Sequence, residues 1–257
     1  MTSQPQSARP AATAVVARHN PSGAPHFLMQ ERAESMTFAG GAMVFPGGAV
    51  DKADQDHAVR IAPQGDIEDL AARIAVVRET IEECGLVLGL VDEARAAEAA
   101  PALRRALKNG ASLASVANSM GLAFDFDRLI PFARWCPPST TPHRRYDTRF
   151  YIAIAGHVPG ELTPDGGETT RLVWHTAQEV LDEADARRVK IIFPTRRNLE
   201  RLAQCESIAA LVAHAQAHQV RLIEPRVETR ADGDYLCIPE GLGYPVTSEP
   251  FSTASRA

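Results

Sequence analysis

The stretch that decides the fold is RETIEECGL, residues 78–86. It completes a segment in which apolar residues recur every three or four positions, at Leu70, Ile74, Val77 and Ile81. This spacing predicts an α-helix from Ile67 to about Gly85, because a glycine suits the position that follows a helix. The helix has an acidic face, on which glutamates stand at positions i, i+3 and i+4: Glu79, Glu82 and Glu83.

Glutamates at this spacing emerge side by side from a helix, where their like charges repel each other. A hard divalent cation relieves the repulsion, since Mg2+ and Mn2+ bind carboxylates, water and substrate phosphates. The helix therefore predicts phosphate chemistry with Mg2+ or Mn2+ as the cofactor. A solvated acidic helix face is the alternative interpretation, and the surrounding residues decide between the two.

A glycine turn precedes the predicted helix. The segment GAMVFPGGAV, residues 41–50, is apolar and contains Pro46, Gly47 and Gly48 in succession. Glycine frees the backbone to turn tightly or to approach a ligand closely. The turn and the helix are thus candidates for two parts of one site.

Together, the turn and the helix resemble the signature of the Nudix hydrolases. That signature runs Gly, five residues, Glu, seven residues, then Arg-Glu-U-x-Glu-Glu-x-Gly-U, in which U is a bulky aliphatic residue. Its back half is matched by Arg78, Glu79, Glu82, Glu83, Gly85 and Leu86, with Thr80 replacing the first aliphatic residue. Its front half is matched at Gly48, with Asp54 where the signature has Glu.

The two halves of the signature are unusually far apart. Thirty positions separate Gly48 from Arg78 where the signature has fourteen, which leaves sixteen extra residues. An insertion costs little closure entropy, about 0.6 kcal/mol for each doubling of loop length. The split resembles the branch of the family that includes the peroxisomal coenzyme A diphosphatase. We expect the stretch between Asp54 and Ile67 to be an ordered loop that affects substrate choice more than chemistry.

The resemblance implies both a fold and a reaction. The fold is the α/β/α Nudix sandwich, a mixed sheet with the catalytic helix on one face. The reaction is the attack of water on phosphorus in a small-molecule nucleoside diphosphate derivative. The metal ligands implied by the family are Glu79, Glu82, Glu83 and the carbonyl of Gly47. Glu79 is also a candidate base, and Arg78 is expected to orient a glutamate through a charge-assisted hydrogen bond.

Three further residues are candidates for the site. Arg32 and Gly48 are candidates for substrate binding, with a solvated arginine at a strand end as the alternative for Arg32. Glu168, in DGGETTR, is a candidate additional base or metal ligand, and an ordinary loop glutamate is the alternative.

A basic segment and several ring side chains are weaker candidates. A candidate pyrophosphate clamp consists of Arg144, Arg145 and Arg149, although alternate residues of a strand face opposite sides. The histidines that lack metal-ligand spacing are expected on the surface or in the core: His143, His157 and His175. The two tryptophans are expected to be core anchors: Trp135 and Trp174.

The remaining pattern predicts one Nudix domain over residues 11–245. The segment 1–10 is expected to be disordered and the segment 246–257 flexible. Strands are predicted at residues 11–18, 26–32, 129–138, 148–156 and 168–176. Helices are predicted at residues 177–188 and from 194 to about 218.

Two regions are predicted to elaborate this domain. A helical insertion is expected at about 89–126, interrupted at Pro101 and at Asn109-Gly110. The segment 221–245 is expected to form an extended hairpin about Asp232-Gly233.

Composition excludes several classes of protein. The net charge of -5 at pH 7 argues against broad nucleic-acid binding, which needs an excess of Lys and Arg. No apolar run is long enough to span a membrane. The N-terminus lacks the apolar centre of a secretion signal. The ending STASRA does not resemble the Ser-Lys-Leu peroxisomal address. We therefore expect a cytoplasmic protein. Four scattered cysteines predict reduced, buried thiols.

The function that the resemblance favours is metal-dependent pyrophosphohydrolysis of coenzyme A or acyl-CoA, which releases 3',5'-ADP and (acyl-)phosphopantetheine. An ADP-ribose or nucleotide-sugar pyrophosphatase is the alternative among enzymes. A non-catalytic nucleotide-binding module is the alternative of another class. The three retained glutamates argue against such a module, because a sensor has no need of carboxylates that repel each other.

Overall fold

A computed structural model of the protein describes residues 8–36, 39–138, 145–156 and 162–254. The strands are β1 (Arg9–Asn20), β2 (Gly23–Arg32), β3 (Met43–Val44), β4 (Gly47–Ala49), β5 (Ile130–Trp135), β6 (Tyr146–Ile154), β7 (Thr169–Thr176), β8 (Leu222–Ile223), β9 (Arg226–Arg230), β10 (Gly233–Cys237) and β11 (Ser248–Pro250). The helices are α1 (Lys52–Ile61), α2 (Ile67–Cys84), α3 (Ala96–Lys108), α4 (Leu113–Met120), α5 (Ala177–Asp185), α6 (Phe193–Leu202), α7 (Ile208–Ala217) and α8 (Phe251–Ala254).

Eight of the described strands form one mixed sheet. Its order is β3-β2-β1-β6-β5-β8, with β4 paired to β1 and β7 paired to β2. β1 and β2 form an antiparallel hairpin, whereas β1 and β6 run parallel. β1 therefore lies at the centre of the sheet, and the glycine turn joins it directly because Thr13 pairs with Gly47 of β4.

The side chains of β1 alternate between two hydrophobic clusters. Ala14 and Val16 face a cluster that α1 to α4 cover, and Val15 and Ala17 face a cluster that α5 to α7 cover. Successive side chains of a strand point to opposite faces, so one strand serves both layers. The expected α/β/α sandwich with a mixed sheet is confirmed.

α2 spans the segment that the apolar spacing predicted. The side chain of Asp66 caps its first turn by accepting a hydrogen bond from the backbone N–H of Asp69. Gly85 ends it in the left-handed conformation, with φ of 70°. The buried residues Ile74, Val77 and Ile81 hold one face against the sheet, which leaves the acidic face for the site.

The expected loop between Asp54 and Ile67 is wrong, because most of this stretch is helix α1. Asp51 precedes its first turn, and the helix ends before Pro63. Asp54 and Ala58, four positions apart on the helix, are both buried. The sequence carries only one apolar residue on that buried face, which is why its periodicity did not reveal the helix.

Two predicted helix boundaries are also wrong. Pro101 does not interrupt α3, because Ala99, Leu103 and Leu107 bury one face of the helix and packing outweighs the missing backbone hydrogen bond. The interruption at Asn109-Gly110 is confirmed. The long helix expected from 194 to 218 is two helices, α6 and α7, because Ser207 caps a new helix by accepting from the backbone N–H of Ala210.

The ends of the described chain are ordered more fully than the sequence predicted. β1 begins at Arg9, and the segment 248–254 forms β11 and α8. The hairpin about Asp232-Gly233 is confirmed as β9 and β10, to which β11 adds a third strand. Residues 1–7 and 255–257 lie outside the described part, and the extent of the domain stays a prediction.

The predicted core anchors are confirmed in part. Trp135 is buried, whereas Trp174 is half-buried beneath the guanidinium of Arg18, 4.3 Å from its ring centroid. All four cysteines are buried and free, as predicted. None of the helices within the described ranges is both long enough and apolar enough to cross a membrane.

Candidate active site

The glycine turn lies directly against the acidic face of α2. The backbone N–H of Gly47 donates to Glu83 Oε2 at 2.9 Å. A Cβ atom on Gly48 would lie 2.3 Å from Glu79 Oε1, and one on Gly47 would lie 2.3 Å from the carbonyl oxygen of Ala12. Gly47 therefore requires glycine, a side chain at Gly48 would displace the Glu79 carboxylate, and the two halves of the split signature meet in space.

Arg78 links three carboxylates at the centre of the site. Its Nη1 donates to Glu79 Oε1 at 2.8 Å and to Glu82 Oε2 at 2.9 Å. Its Nη2 donates to Asp54 Oδ2 at 2.9 Å and to the carbonyl of Ala49 at 2.8 Å, and its Nε also faces Asp54. All five N–H groups of the guanidinium are thus engaged, and Arg78 contacts two glutamates as expected.

Asp54 is 2% exposed and faces α2 across its ion pair with Arg78. It stands where the signature has Glu, and helix α1 holds it there. Burial by itself would lower the pKa of Arg78, but the hydrogen bond to Asp54 and the charges of Glu79 and Glu82 raise that pKa above its usual value. The arginine therefore stays charged and fixes both glutamates.

Glu83 has a different set of partners, one of which the sequence did not reveal. Gln30, fully buried on β2, donates from Nε2 to Glu83 Oε2 at 3.0 Å. The Oε1 of Gln30 accepts from Thr169 Oγ1 on β7 at 3.1 Å. The sequence contained little signal for this contact, because Gln30 follows the apolar run FLM of β2 but directly precedes Glu31 and Arg32.

Burial shifts the pKa values of two glutamates upward. Desolvation, followed by the charge of Glu79, raises the pKa of Glu83 to about 8, although hydrogen bonds from Gly47 and Gln30 oppose the shift. Desolvation also raises the pKa of Glu79 to about 7, although Arg78 opposes it. Of these two glutamates, only Glu79 is hydrogen-bonded to Arg78, and the hydrogen-bond donors of Glu83 are neutral.

Arg32 and Glu168 come together at the edge of this site. Arg32 Nη2 lies 3.8 Å from Glu168 Oε2, and the two side chains are 14% and 59% exposed. The buried Nε of Arg32 has no hydrogen-bond partner among the described residues. The charge of Arg32 also acts on Glu83. Arg32 is therefore not the solvated strand-end arginine of the alternative interpretation.

The candidate pyrophosphate clamp is not assembled by the described residues. Arg145 donates to the carbonyl of Pro137 and pairs with Glu224, and Arg149 pairs with Glu68 and Asp69 of α2. His175 lies 3.6 Å from Glu179, at the other end of β7. The remaining candidates lie outside the described residues: His143, Arg144 and His157.

Within the described ranges, no three His, Cys, Asp or Glu side chains converge to hold a metal ion. Arg78 donates hydrogen bonds to Glu79 and Glu82, whereas Glu83 accepts hydrogen bonds from Gln30 and from the backbone of Gly47. The donor set nevertheless fits a hard cation, because Glu83 is a buried carboxylate whose hydrogen-bond donors are both neutral. The Glu79 carboxylate occupies the place that a side chain at Gly48 would take, so it lies directly at the glycine turn.

Comparison with known proteins agrees with this geometry. The family model of the NUDT19 Nudix domain matches residues 62–202. A crystal structure of a NUDIX hydrolase from Alicyclobacillus acidocaldarius is 30% identical with a TM-score of 0.69, and covers 80% of this chain and 96% of that one.

Two curated relatives match along most of the chain. An acyl-coenzyme A diphosphatase NUDT19 from Gallus gallus is 24% identical, and the match covers 85% of this chain and 72% of that protein. A Caenorhabditis elegans protein named for the nudix hydrolases is 28% identical over 83% of this chain and 70% of its own. The family model, which matches more than half of the chain, establishes the relationship: this protein belongs to the Nudix hydrolase family.

Proposed function

We propose that this Nudix hydrolase is a divalent-metal-dependent pyrophosphohydrolase whose favoured substrate is coenzyme A or acyl-CoA. The products would be 3',5'-ADP and phosphopantetheine or its acyl form. The observation that carries the proposal is the cluster of Glu79, Glu82 and Glu83 beside the Gly47-Gly48 turn, with Glu83 buried and without a cationic hydrogen-bond partner.

The proposed metal ligands are Glu79, Glu82, Glu83 and the carbonyl of Gly47, and the proposed cation is Mg2+ or Mn2+. When bound, such a cation withdraws charge from phosphoryl oxygens and lowers the pKa of the attacking water. Carboxylate and carbonyl oxygens are the donors that both cations prefer.

The remaining chemistry belongs to the side chains of the protein. Glu79 is the proposed base, because a pKa of about 7 allows it both to accept a proton and to release it near neutral pH. Arg78 orients Glu79 and Glu82. Arg32 is the proposed phosphate-binding residue, since its buried Nε is free to donate, and Gly48 lets substrate approach the helix closely. Glu168, held by Arg32, is a weaker candidate for a second base or ligand.

The preference for coenzyme A substrates is supported by the chicken relative named acyl-coenzyme A diphosphatase. It is also supported by the split signature, with sixteen residues more than the ordinary spacing. An ADP-ribose or nucleotide-sugar pyrophosphatase remains the rival within the same chemistry. A cytoplasmic location is part of the proposal.

A substrate panel tests the proposal. CoA, acyl-CoAs, ADP-ribose and NADH are incubated with Mg2+ or Mn2+, and the products are resolved chromatographically. Release of 3',5'-ADP together with phosphopantetheine supports the coenzyme A assignment. Cleavage of ADP-ribose alone replaces it with the rival, and no cleavage of any diphosphate contradicts the proposed reaction.

A further inference from the structure

The C-terminal end of α2 leaves backbone carbonyl groups that need donors from elsewhere. The last four carbonyls of an α-helix have no partner within the helix. At this end of α2, the backbone N–H of Gly85 donates to the carbonyls of Ile81 and Thr80. Among the carbonyls that remain are those of Glu82 and Glu83, two of the proposed metal ligands.

A side chain of the helical insertion, Arg104 of α3, supplies donors to both of these carbonyls. Its Nε donates to the carbonyl of Glu82 at 3.0 Å, and its Nη2 donates to the carbonyl of Glu83 at 2.9 Å. One planar fork thus holds two consecutive peptide groups, and its positive charge is favourable at the C-terminal end of a helix. The guanidinium lies directly against the end of α2, because a Cβ atom on Gly85 would be 3.3 Å from Arg104 Nη1.

The third nitrogen of this guanidinium reaches the segment that leads into β7. Nη1 of Arg104 donates to the carbonyl of Thr163 at 2.8 Å and to its Oγ1 at 2.9 Å. One turn further along α3, Lys108 Nζ lies 3.8 Å from Asp165 Oδ2. Helix α3 therefore contacts both the end of α2 and the segment before β7.

Asp165 organises the part of this segment that borders the candidate active site. Its Oδ1 accepts hydrogen bonds from the backbone N–H groups of Glu168 at 3.1 Å and Thr169 at 2.7 Å. Glu168 then pairs with Arg32, and the hydroxyl of Thr169 donates to Gln30, the partner of a proposed metal ligand. The segment that Arg104 holds thus carries two residues of the site.

The packing of α3 gives Arg104 a fixed base. Leu103 and Leu107 are buried in the same hydrophobic cluster as Ile74 and Val77 of α2. Arg104 is half-buried beside them. A side chain anchored on a packed helix holds its partners more precisely than one on a loop.

We propose that Arg104 is a positioning residue of the candidate active site. Its guanidinium fixes the peptide groups that carry the side chains of Glu82 and Glu83, and it ties them to the segment that carries Glu168. The inference rests on the proposed function and gives the helical insertion a part in it. All three nitrogens of Arg104 donate to protein groups, so Arg104 acts through these residues and not on substrate.

Two substitutions of Arg104 and a neighbouring arginine provide the test. Arg104→Gln removes both the charge and the fork, whereas Arg104→Lys keeps the charge and loses the planar fork. Arg105→Gln is the matched control, because Arg105 is the next residue of α3 and is exposed. Mn2+ affinity is measured by calorimetry, kcat and KM are measured for CoA, and melting curves report folding.

Arg104→Gln should lower Mn2+ affinity and kcat by about 10- to 100-fold, the range usual for residues that hold metal ligands. KM for CoA should change much less, since Arg104 does not contact substrate. Arg104→Lys should lose less of both, because it retains a positive charge at the helix end. Arg105→Gln should resemble the unchanged protein.

A role confined to stability gives a different result. A lower melting temperature of Arg104→Gln, with Mn2+ affinity and kcat unchanged well below that temperature, overturns the inference. An equal effect of Arg105→Gln overturns it as well. If Arg104→Gln fails to fold, Arg104→Lys decides, and values of Mn2+ affinity and kcat equal to those of the unchanged protein overturn the inference.

Mn2+ binding separates this inference from the proposed function. If the unchanged protein does not cleave CoA, the proposed substrate is contradicted, whereas the comparison of Mn2+ affinities still supports or overturns the role of Arg104. If the unchanged protein does not bind Mn2+, both are overturned.

Discussion

Asp54 of α1 and Arg78 of α2 form a buried ion pair, with 2.9 Å between Oδ2 and Nη2. The pair fastens α1 to α2, and it uses the residue at which the two halves of the signature separate. The inserted segment therefore has a structural role in addition to any effect on substrate choice.

Asp54→Ala should lower the free energy of unfolding by about 1 to 3 kcal/mol, because Arg78 keeps Glu79 and Glu82 but its Nε and one N–H of Nη2 lose their buried acceptor. The control is Asp56→Ala on the same helix, whose side chain is 56% exposed and pairs only with Lys52. That control should change stability by less than about 1 kcal/mol. Urea unfolding monitored by circular dichroism measures both, and equal effects would contradict the structural role of the pair.

Glu82→Gln and Glu83→Gln should each lower kcat by about 100-fold or more, because a lost metal ligand removes several kcal/mol of charge stabilisation. Neither change should unfold the protein, since each removes one charge from a cluster that repels itself. Glu98→Gln, an exposed glutamate on α3, is the control. Full activity of both variants at saturating Mg2+ would exclude these residues from the metal site.

Gln30→Leu should leave Glu83 without one of its two donors and weaken its orientation. We expect kcat to fall by about 10- to 100-fold, the range usual for residues that hold a metal ligand. Mn2+ affinity, measured by calorimetry, should fall with it, while KM for the nucleotide stays nearly constant. Thr169→Val should give a smaller change of the same kind. A loss of stability without a change in Mn2+ affinity would show that Gln30 is only structural.

Gly48→Ala should displace Glu79, because the added Cβ would lie 2.3 Å from its Oε1. A displacement of about 1 Å at a reacting group can lower turnover by about 100-fold. Gly65→Ala is the matched control, since its nearest contact is an ordinary 3.4 Å. Steady-state kinetics compares the two. Unchanged kcat in Gly48→Ala would mean that the position of Glu79 is not critical.

Acid should destabilise the protein in part through His214. Burial, and then the charges of Arg201 and His218, lower the pKa of His214 to about 4 in the folded protein. Its Nε2 accepts a hydrogen bond from Arg201 Nε at 3.0 Å, which a protonated nitrogen cannot do. The unfolded chain, with a pKa of about 6.5, binds the proton first, so stability is lost as pH falls from about 6.5 towards 4.

His214→Gln keeps an acceptor at this place and does not titrate in this range. Its melting temperature should therefore fall less between pH 7 and pH 4.5 than that of the unchanged protein. His19→Gln, at an exposed position on β1, should behave like the unchanged protein. Identical pH profiles for all three proteins would contradict the role of His214.

Helix α2 was predictable because its determinants are local. The spacing of Leu70, Ile74, Val77 and Ile81, with Gly85 after them, encodes a helix with one buried face. Helix geometry alone then predicts which side chains lie on the opposite face of the helix. Glu79, Glu82 and Glu83 were found in this way, and Gly48 was found from the Pro-Gly-Gly turn that matches the front half of the signature.

The inserted segment shows where local patterns fail. α1 is stabilised through Asp54, whose burial depends on an arginine 24 positions later. A charged residue such as Asp54 is predicted to be exposed to solvent as long as its ion-pair partner is unknown, even where the fold buries it. The same limitation produced the error at Pro101, where burial of α3 outweighs the missing backbone hydrogen bond.

The sequence by itself thus determined the fold class, helix α2, the glycine turn and the identity of the candidate ligands. Only the tertiary structure decided which residues support them. Gln30 is hydrogen-bonded to Glu83, 53 positions away, and to Thr169, 139 positions away. Arg32 likewise meets Glu168 where β2 pairs with β7. These contacts depend on strand register and on the orientation of α2 over the sheet. No short stretch of the chain encodes either, because both arise only when distant segments pack together.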